Sequence, residues 1–165
     1  MRYAGINPND FSAAPGVSVS FFTQGCPHRC PGCHNPETWD FNGGKEFDTH
    51  AVIELEKALT ANNIKRNFCL MGGEPLCKEN LWVSDFVIQH VRTYCPESPI
   101  YIWTGYTLEE LLEMNNPTII NILSNADYLI DGPYKQELRD ITLSLRGSSN
   151  QRVINLKNIK IYDII

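Results

Sequence analysis

Residues 17–33 read VSVSFFTQGCPHRCPGC, and the fold follows from reading outward from them. The first six residues, VSVSFF, are a β-rich apolar run bounded by turn-type residues, which predicts a strand. The run ends at Thr23, Gln24 and Gly25. A loop then carries Cys26, Cys30 and Cys33, with Pro27 and Pro31 stiffening it and Gly25 and Gly32 sparing it side-chain bulk.

Beyond the loop, strand and helix patterns alternate. Asp48 or Thr49 caps a helix whose apolar stripe is Val52, Leu55, Ala58 and Leu59. Residues 68–71 are a short buried strand ending at Gly72 and Gly73. A second helix carries Val83, Phe86, Val87, Val91 and Tyr94 on one face and stops at Pro96. Residues 100–103 form the next strand, ending at Thr104 and Gly105. Thr107 and Glu110 make a capping box for a third helix reaching Met114, and Pro117 suits the first position of a fourth. Residues 128–130 form a further strand, ending at Asp131 and Gly132. The tail, residues 153–165, reads as strand with a hairpin around Asn158.

This is βαβαβαβ order, which predicts an α/β fold with a mostly parallel sheet and the cysteine loop after the first strand. Right-handed crossovers place every strand C-terminus on one edge. The cysteine loop, Gly72–Gly73, Thr104–Gly105 and Asp131–Gly132 should therefore converge where α/β proteins bind ligands.

Composition narrows the class. The chain has 165 residues, one domain's worth, expected as a single domain over 1–165. With 42% hydrophobic and 20% charged residues, whole-chain disorder, collagen and coiled coil are excluded. The net charge of −5 argues against blanketing nucleic acid or an anionic membrane. The C-terminal part is locally basic, with Lys135, Arg139, Arg146, Arg152, Lys157 and Lys160 against Glu137 and Asp140, and reads first as a solvated face. No signal peptide and no membrane span is legible, so the expected location is the cytoplasm. Thiols there stay reduced, and clustered cysteines point to metal or redox chemistry.

Thiolates bind iron and zinc. Cys26, Cys30 and Cys33 supply three ligands on one loop, whereas structural zinc takes four. His28 or His34 completes a Cys3His zinc site in one reading, that of a non-catalytic interaction module. In the other, three cysteines hold a four-iron cluster whose fourth iron stays open to a small molecule.

The Cys-x3-Cys-x2-Cys loop resembles the signature of the radical S-adenosylmethionine enzymes. The ordered set of CPHRCPGCHNPETW (26–39), MGGEP (71–75), WTGY (103–106), DGPY (131–134) and RGSSNQ (146–151) is similar to the glycyl-radical-enzyme activases that serve anaerobic ribonucleoside-triphosphate reductases. The resemblance implies a partial, incomplete β/α barrel and two cofactors, a 4Fe-4S cluster and S-adenosyl-L-methionine. It implies Cys26, Cys30 and Cys33 as cluster ligands. Gly32, Cys33 and His34 would lie along the adenosyl part, and Gly72, Gly73 and Glu74 would hold the methionine ammonium through carbonyls, with the Glu74 carboxylate as a further acceptor. The reaction implied is formation of a 5′-deoxyadenosyl radical, which takes a hydrogen from a backbone glycine of the reductase large subunit. A flavodoxin- or ferredoxin-type protein would donate the electron. Activation of another glycyl-radical enzyme is the alternative within this class. Many members carry an aromatic residue just before the third cysteine; here Gly32 stands there, and His34 follows the cysteine.

The remaining candidates read as structural. Cys69 is a small core residue, Cys95 ends a helix, and Cys77 lies near the turn without a role. His50 and His90 are surface or helix-face residues. His28 is exposed or supports the site without ligating metal. Trp103 and Tyr106 pack, and Asp131 either caps a strand end or lies at the ligand edge. The Arg146–Arg152 motif is a solvated loop in one reading and a docking or ligand-orienting segment in the other.

Overall fold

The computed structural model describes residues 1–159 and residue 161. Among them, seven strands form one sheet: β1 (Arg2–Asp10), β2 (Ser18–Thr23), β3 (Lys45–Glu46), β4 (Asn67–Gly72), β5 (Ile100–Trp103), β6 (Tyr128–Asp131) and β7 (Arg152–Asn155). The helices are α1 (Thr49–Thr60), α2 (Leu81–Tyr94), α3 (Leu108–Glu113) and α4 (Pro117–Asn125). Across the sheet the order is β3-β1-β2-β4-β5-β6-β7. Neighbours from β2 to β6 pair in parallel, while β3–β1, β1–β2 and β6–β7 pair antiparallel. The fold is α/β, with a mixed sheet that is parallel in its middle.

Two sequence expectations are corrected. The cysteine loop follows the second strand, because β1 precedes it. β1 contains Gly5 and Pro8 and pairs irregularly with β2, with register shifts at both ends. Such a strand has no clean alternation, and its proline lies beyond Arg2 and Tyr3, the stretch that pairs with β3. The second correction concerns the tail. β7 ends at Asn155, and Leu156–Asn158 turns as a 3-10 helix in place of continuing as strand. Strand beyond Asn158 falls on residue 160 and residues 162–165, outside the described residues.

Local signals position the helices. Asp48 caps α1 by accepting from the Ala51 N–H at 3.0 Å. The Thr107–Glu110 capping box of α3 is complete, and Asn116 caps α4 with Pro117 at its start. On α1, Ala51 is buried with Leu55, Ala58 and Leu59, and Val52 only partly. On α2, Leu81 and Ile88 join the buried face, while Tyr94 stays exposed. Tyr94 instead ends a row with Trp82, Phe86 and His90 in contact at i, i+4 spacing along the outer side.

Side-chain alternation divides the sheet between two clusters. Val19, Phe21, Phe68, Leu70, Ile100, Ile102 and Leu129 face the helices and form the main core. Cys69, Tyr101 and Ile130 form a second cluster on the opposite face, packed by Met71, Trp103 and Tyr128. Full burial of Leu55, Ile88 or Ile122 contributes about 2 kcal/mol each.

Asp127, at the start of β6, ties the far edge together. It accepts from Arg92 Nη2 at 2.8 Å and the Ile100 N–H at 2.6 Å, and pairs with Lys157 Nζ at 2.7 Å. Burial works against its charge, but the bonds from Lys157, Arg92 and the Ile100 amide outweigh it and hold the carboxyl below its ordinary 3.8. A carboxyl depressed in the folded state stabilises fully above its unfolded value and loses that contribution as pH falls through the folded one. Asp127→Asn should therefore cost about 2 kcal/mol near neutral pH, the buried-pair value discounted because Lys157 lies largely in solvent. The gap from the native protein should close below pH 3.8. Denaturant titrations across pH measure it.

Candidate functional site

The parallel strands end on one edge and bring four segments to one cleft of about 550 Å³. Cys26, Cys30 and Cys33 line it from the loop after β2, and Gly72, Gly73 and Glu74 from the end of β4. Thr104 and Gly105 follow β5, and Gly132 follows β6. This is the convergence that the strand–helix alternation anticipates. His34, Met71 and Trp103 complete the inner wall.

The start of the cysteine loop is tied to the segment that follows the loop. The Gly25 N–H donates to Thr38 O at 2.8 Å and the Cys26 N–H to Trp39 O at 3.2 Å. Between them the Cys33 N–H donates to Cys30 O at 3.1 Å. All six cysteines are free, and Cys26, Cys30 and Cys33 are each partly exposed. Burial pushes the Cys26 and Cys30 thiols up, so a metal has to displace protons there. Burial also pushes Cys69 and Cys77 up to about 12, and neither lines the cleft.

Behind the loop, the Gly-Gly-Glu turn is stapled to it. The Glu74 N–H donates to Gly25 O at 2.8 Å, and Asn80 Nδ2 bridges Gly25 O and Glu74 O at 3.1 and 3.0 Å. The approach at Gly73 admits only glycine, since a Cβ there would stand 2.3 Å from Gly25 O.

The Glu74 side chain is 1% exposed and fully used. Oε1 accepts from Thr104 Oγ1 at 2.7 Å and the Leu76 N–H at 2.9 Å. Oε2 accepts from the Gly105 N–H at 2.7 Å and lies 2.9 Å from His28 Nε2. The carboxylate thus joins the segments after β4 and β5 to the cysteine loop. Burial first, and then the Glu74 charge, push the nearby Tyr106 hydroxyl up to about 12. Glu74→Ala would leave several buried donors without an acceptor, at roughly 1–3 kcal/mol each. A loss of at least about 3 kcal/mol is expected in chemical denaturation of the metal-free protein, with Glu74→Gln milder.

His34 lies beside Tyr134, ring centroids 5.7 Å apart, and Gly32 packs against Gln136 and Tyr134. Asp131 caps: it accepts from the Leu108 N–H at 2.8 Å and pairs with Arg152, which also bridges to Glu109. The Arg146–Arg152 segment is a self-bonded loop. Gln151 Oε1 accepts from the Gly147 and Ser148 amides, and its Nε2 donates to Gly132 O. Arg152 and Lys157 are thus committed to internal carboxylates, not to a free basic face. Sequence reasoning missed Asn80, which no local pattern marks, and Asp10, Ser12 and Ala13, which reach the cleft from the unrecognised β1–β2 turn.

The donor set fits a cluster with one open iron. Three cysteines line the cleft, and among the described residues no fourth does. Of the two histidines that could complete a Cys3His zinc site, His28 is committed to Glu74 and His34 lies beside Tyr134. Among the described residues, no three Cys, His, Asp or Glu side chains gather as a single metal ion requires.

Three free thiols line the cleft at the ends of the parallel strands, and residues 13–154 match the family model of a 4Fe-4S single cluster domain, which marks an iron–sulfur protein. The chain belongs to the family of anaerobic ribonucleoside-triphosphate reductase-activating proteins. It is 37% identical to the protein of that name from Escherichia coli strain K12 over 158 residues, 95% of this chain and 100% of that protein. It is 36% identical to the one from Vibrio cholerae, over 92% of this chain and 96% of that protein. The counterpart in Enterobacteria phage T4 is 36% identical over 93% of both chains. No helix among the described residues is long and apolar enough to cross a membrane.

Proposed function

We propose that this chain is a radical S-adenosylmethionine activase, a single domain over residues 1–165, that installs the glycyl radical on an anaerobic ribonucleoside-triphosphate reductase. The observation that carries the reading is the meeting of three free thiols and the Gly72–Gly73–Glu74 turn in one cleft at the strand ends. Cys26, Cys30 and Cys33 hold the 4Fe-4S cluster. Gly72, Gly73 and Glu74 offer backbone carbonyls to the methionine ammonium, and a cation needs acceptors of this kind. The Glu74 carboxylate carries four donors already and acts by fixing the turn. Gly32, Cys33 and His34 lie along the adenosyl group, with Tyr134 beside His34.

Held by Cys26, Cys30 and Cys33, the reduced cluster would supply one electron for cleavage of S-adenosylmethionine to methionine and a 5′-deoxyadenosyl group, which would leave as 5′-deoxyadenosine with a hydrogen atom from a backbone glycine of the reductase large subunit. The chain's own contribution is orientation and shelter. Met71, Trp103 and Leu145 wall the cleft with apolar surface that limits water near the reacting atoms. The sheet acts as a partial barrel whose open side the reductase closes, and a flavodoxin- or ferredoxin-type protein in the cytoplasm supplies the electron.

Anaerobic reconstitution tests the reading. Expected are about four irons per chain, as a 4Fe-4S centre requires, and reductive cleavage of S-adenosylmethionine. A colourless protein with one zinc per chain and no cleavage would refute it.

A further inference from the structure

We propose that His28 is a positioning residue: its imidazole latches the middle of the cysteine loop onto the Glu74 carboxylate, and so fixes where the thiols stand relative to the Gly72–Gly73 turn. The inference deepens the reading above and rests on it, since the loop is taken to hold the cluster and the turn its S-adenosylmethionine.

Three contacts hold the ring. Nε2 lies 2.9 Å from Glu74 Oε2. The Tyr106 ring meets it edge-on, with centroids 4.5 Å apart. The third side is the bare backbone of Gly105, where a Cβ would stand 2.5 Å from His28 Cδ2. Gly105 is therefore a glycine because the imidazole occupies the space its side chain would need.

The latch has a rigid anchor. Glu74 is 1% exposed, and its carboxylate is already held by Thr104 Oγ1 and the amides of Leu76 and Gly105. A ring bonded to it is referred to the ends of β4 and β5 together. The other bonds in the loop's middle, from the His28 and Arg29 amides to the Cys26 sulfur and from the Tyr134 amide to the Cys30 sulfur, do not reach the turns after β4 and β5. The loop's start is bonded to Thr38 and Trp39, and its interior has the Cys33–Cys30 backbone bond. Arg29, between His28 and Cys30, has a φ of 48°. That conformation costs a non-glycine residue of order 1 kcal/mol and persists where surrounding contacts hold it. Among the described residues, His28 makes the only hydrogen bond from a side chain of residues 26–33 to the turns after β4 and β5. Removing it frees the loop's middle while leaving all three thiols on the chain.

Two substitutions separate latching from packing. His28→Phe keeps a ring against Tyr106 and removes the bond to Glu74. His28→Gln removes the ring and keeps an N–H donor of similar reach. In the metal-free protein, hydrogen exchange over residues 26–34 should rise in His28→Phe and stay near wild type in His28→Gln. In the reconstituted protein, His28→Phe should load iron as wild type does. Its KM for S-adenosylmethionine should rise about 10-fold or more, as for other outer-shell partners, with kcat changing less. The electron paramagnetic resonance change that S-adenosylmethionine causes in the reduced cluster should weaken, and His28→Gln should restore both. Unchanged exchange and KM in His28→Phe, or failure of His28→Gln to restore them, would overturn the latch. A wild-type protein that loads no cluster would instead overturn the functional reading, and exchange in the metal-free protein would still decide the latch.

Discussion

Cys26→Ser, Cys30→Ser and Cys33→Ser should each give a folded protein that holds little or no intact cluster and cleaves S-adenosylmethionine only at background. The three thiols are the cleft's only cysteines among the described residues, so no spare ligand can take over. A hydroxyl is a poor ligand for iron where a thiolate is required. The fold should hardly notice, because all three side chains are partly exposed and lie outside both apolar clusters. Denaturation midpoints of the metal-free variants should stay within about 0.5 kcal/mol of wild type. Cys95→Ser, altered at the end of α2 away from the cleft, should keep its colour and activity. Iron and sulfide analysis beside product assay reads all four. Full activity in any loop variant would remove that cysteine from the ligand set.

Gly73→Ala should be the most damaging change that touches no charged or ligating group. The new methyl would lie 2.3 Å from Gly25 O and 2.9 Å from Gly25 C. Both obstacles are backbone, so no rotamer change relieves them. The turn has to part from the start of the cysteine loop, breaking the Glu74 N–H bond to Gly25 O and the Asn80 bridge. A stability loss of at least about 2 kcal/mol is expected, of the size that forced overpacking produces. S-adenosylmethionine cleavage should fall to background, because the carbonyls proposed to hold the ammonium move with the turn. Gly5→Ala is the control. It sits in β1 with nothing within 4 Å of its Cβ position and should leave both properties intact. Equal behaviour of the two variants would show that the close approach at Gly73 does not matter.

The parallel centre of the sheet was legible because its signals are local. VSVSFF ends in turn residues, Thr107 and Glu110 form their capping box, and Pro117 opens α4. Parallel strands then force the four strand-end segments together without further information. β1 was not legible, because Gly5, Pro8 and two register shifts erase its alternation, and its pairing is set by a partner in sequence beyond the turn. With β1 went the cleft residues Asp10, Ser12 and Ala13.

The site shows the same division. The three cysteines and Gly72–Gly73 stand out by spacing. The network around Glu74 does not, since His28, Leu76, Thr104 and Gly105 reach one carboxylate from three separate segments. The role of Asp131 was open between cap and ligand edge for the same reason. Its partners, the Leu108 amide and Arg152, lie about twenty residues away on either side. Tertiary satisfaction of a buried carboxylate leaves no periodic trace in the chain.

The most direct test of the account is to incubate the reconstituted, reduced protein anaerobically with S-adenosylmethionine and an anaerobic ribonucleoside-triphosphate reductase, and to record the electron paramagnetic resonance spectrum. The expected result is a glycyl radical on the reductase, absent when Cys26→Ser protein is used and absent when an unrelated glycyl-radical enzyme replaces the reductase. A protein that carries its cluster and cleaves S-adenosylmethionine, yet leaves the reductase without a radical, would contradict it.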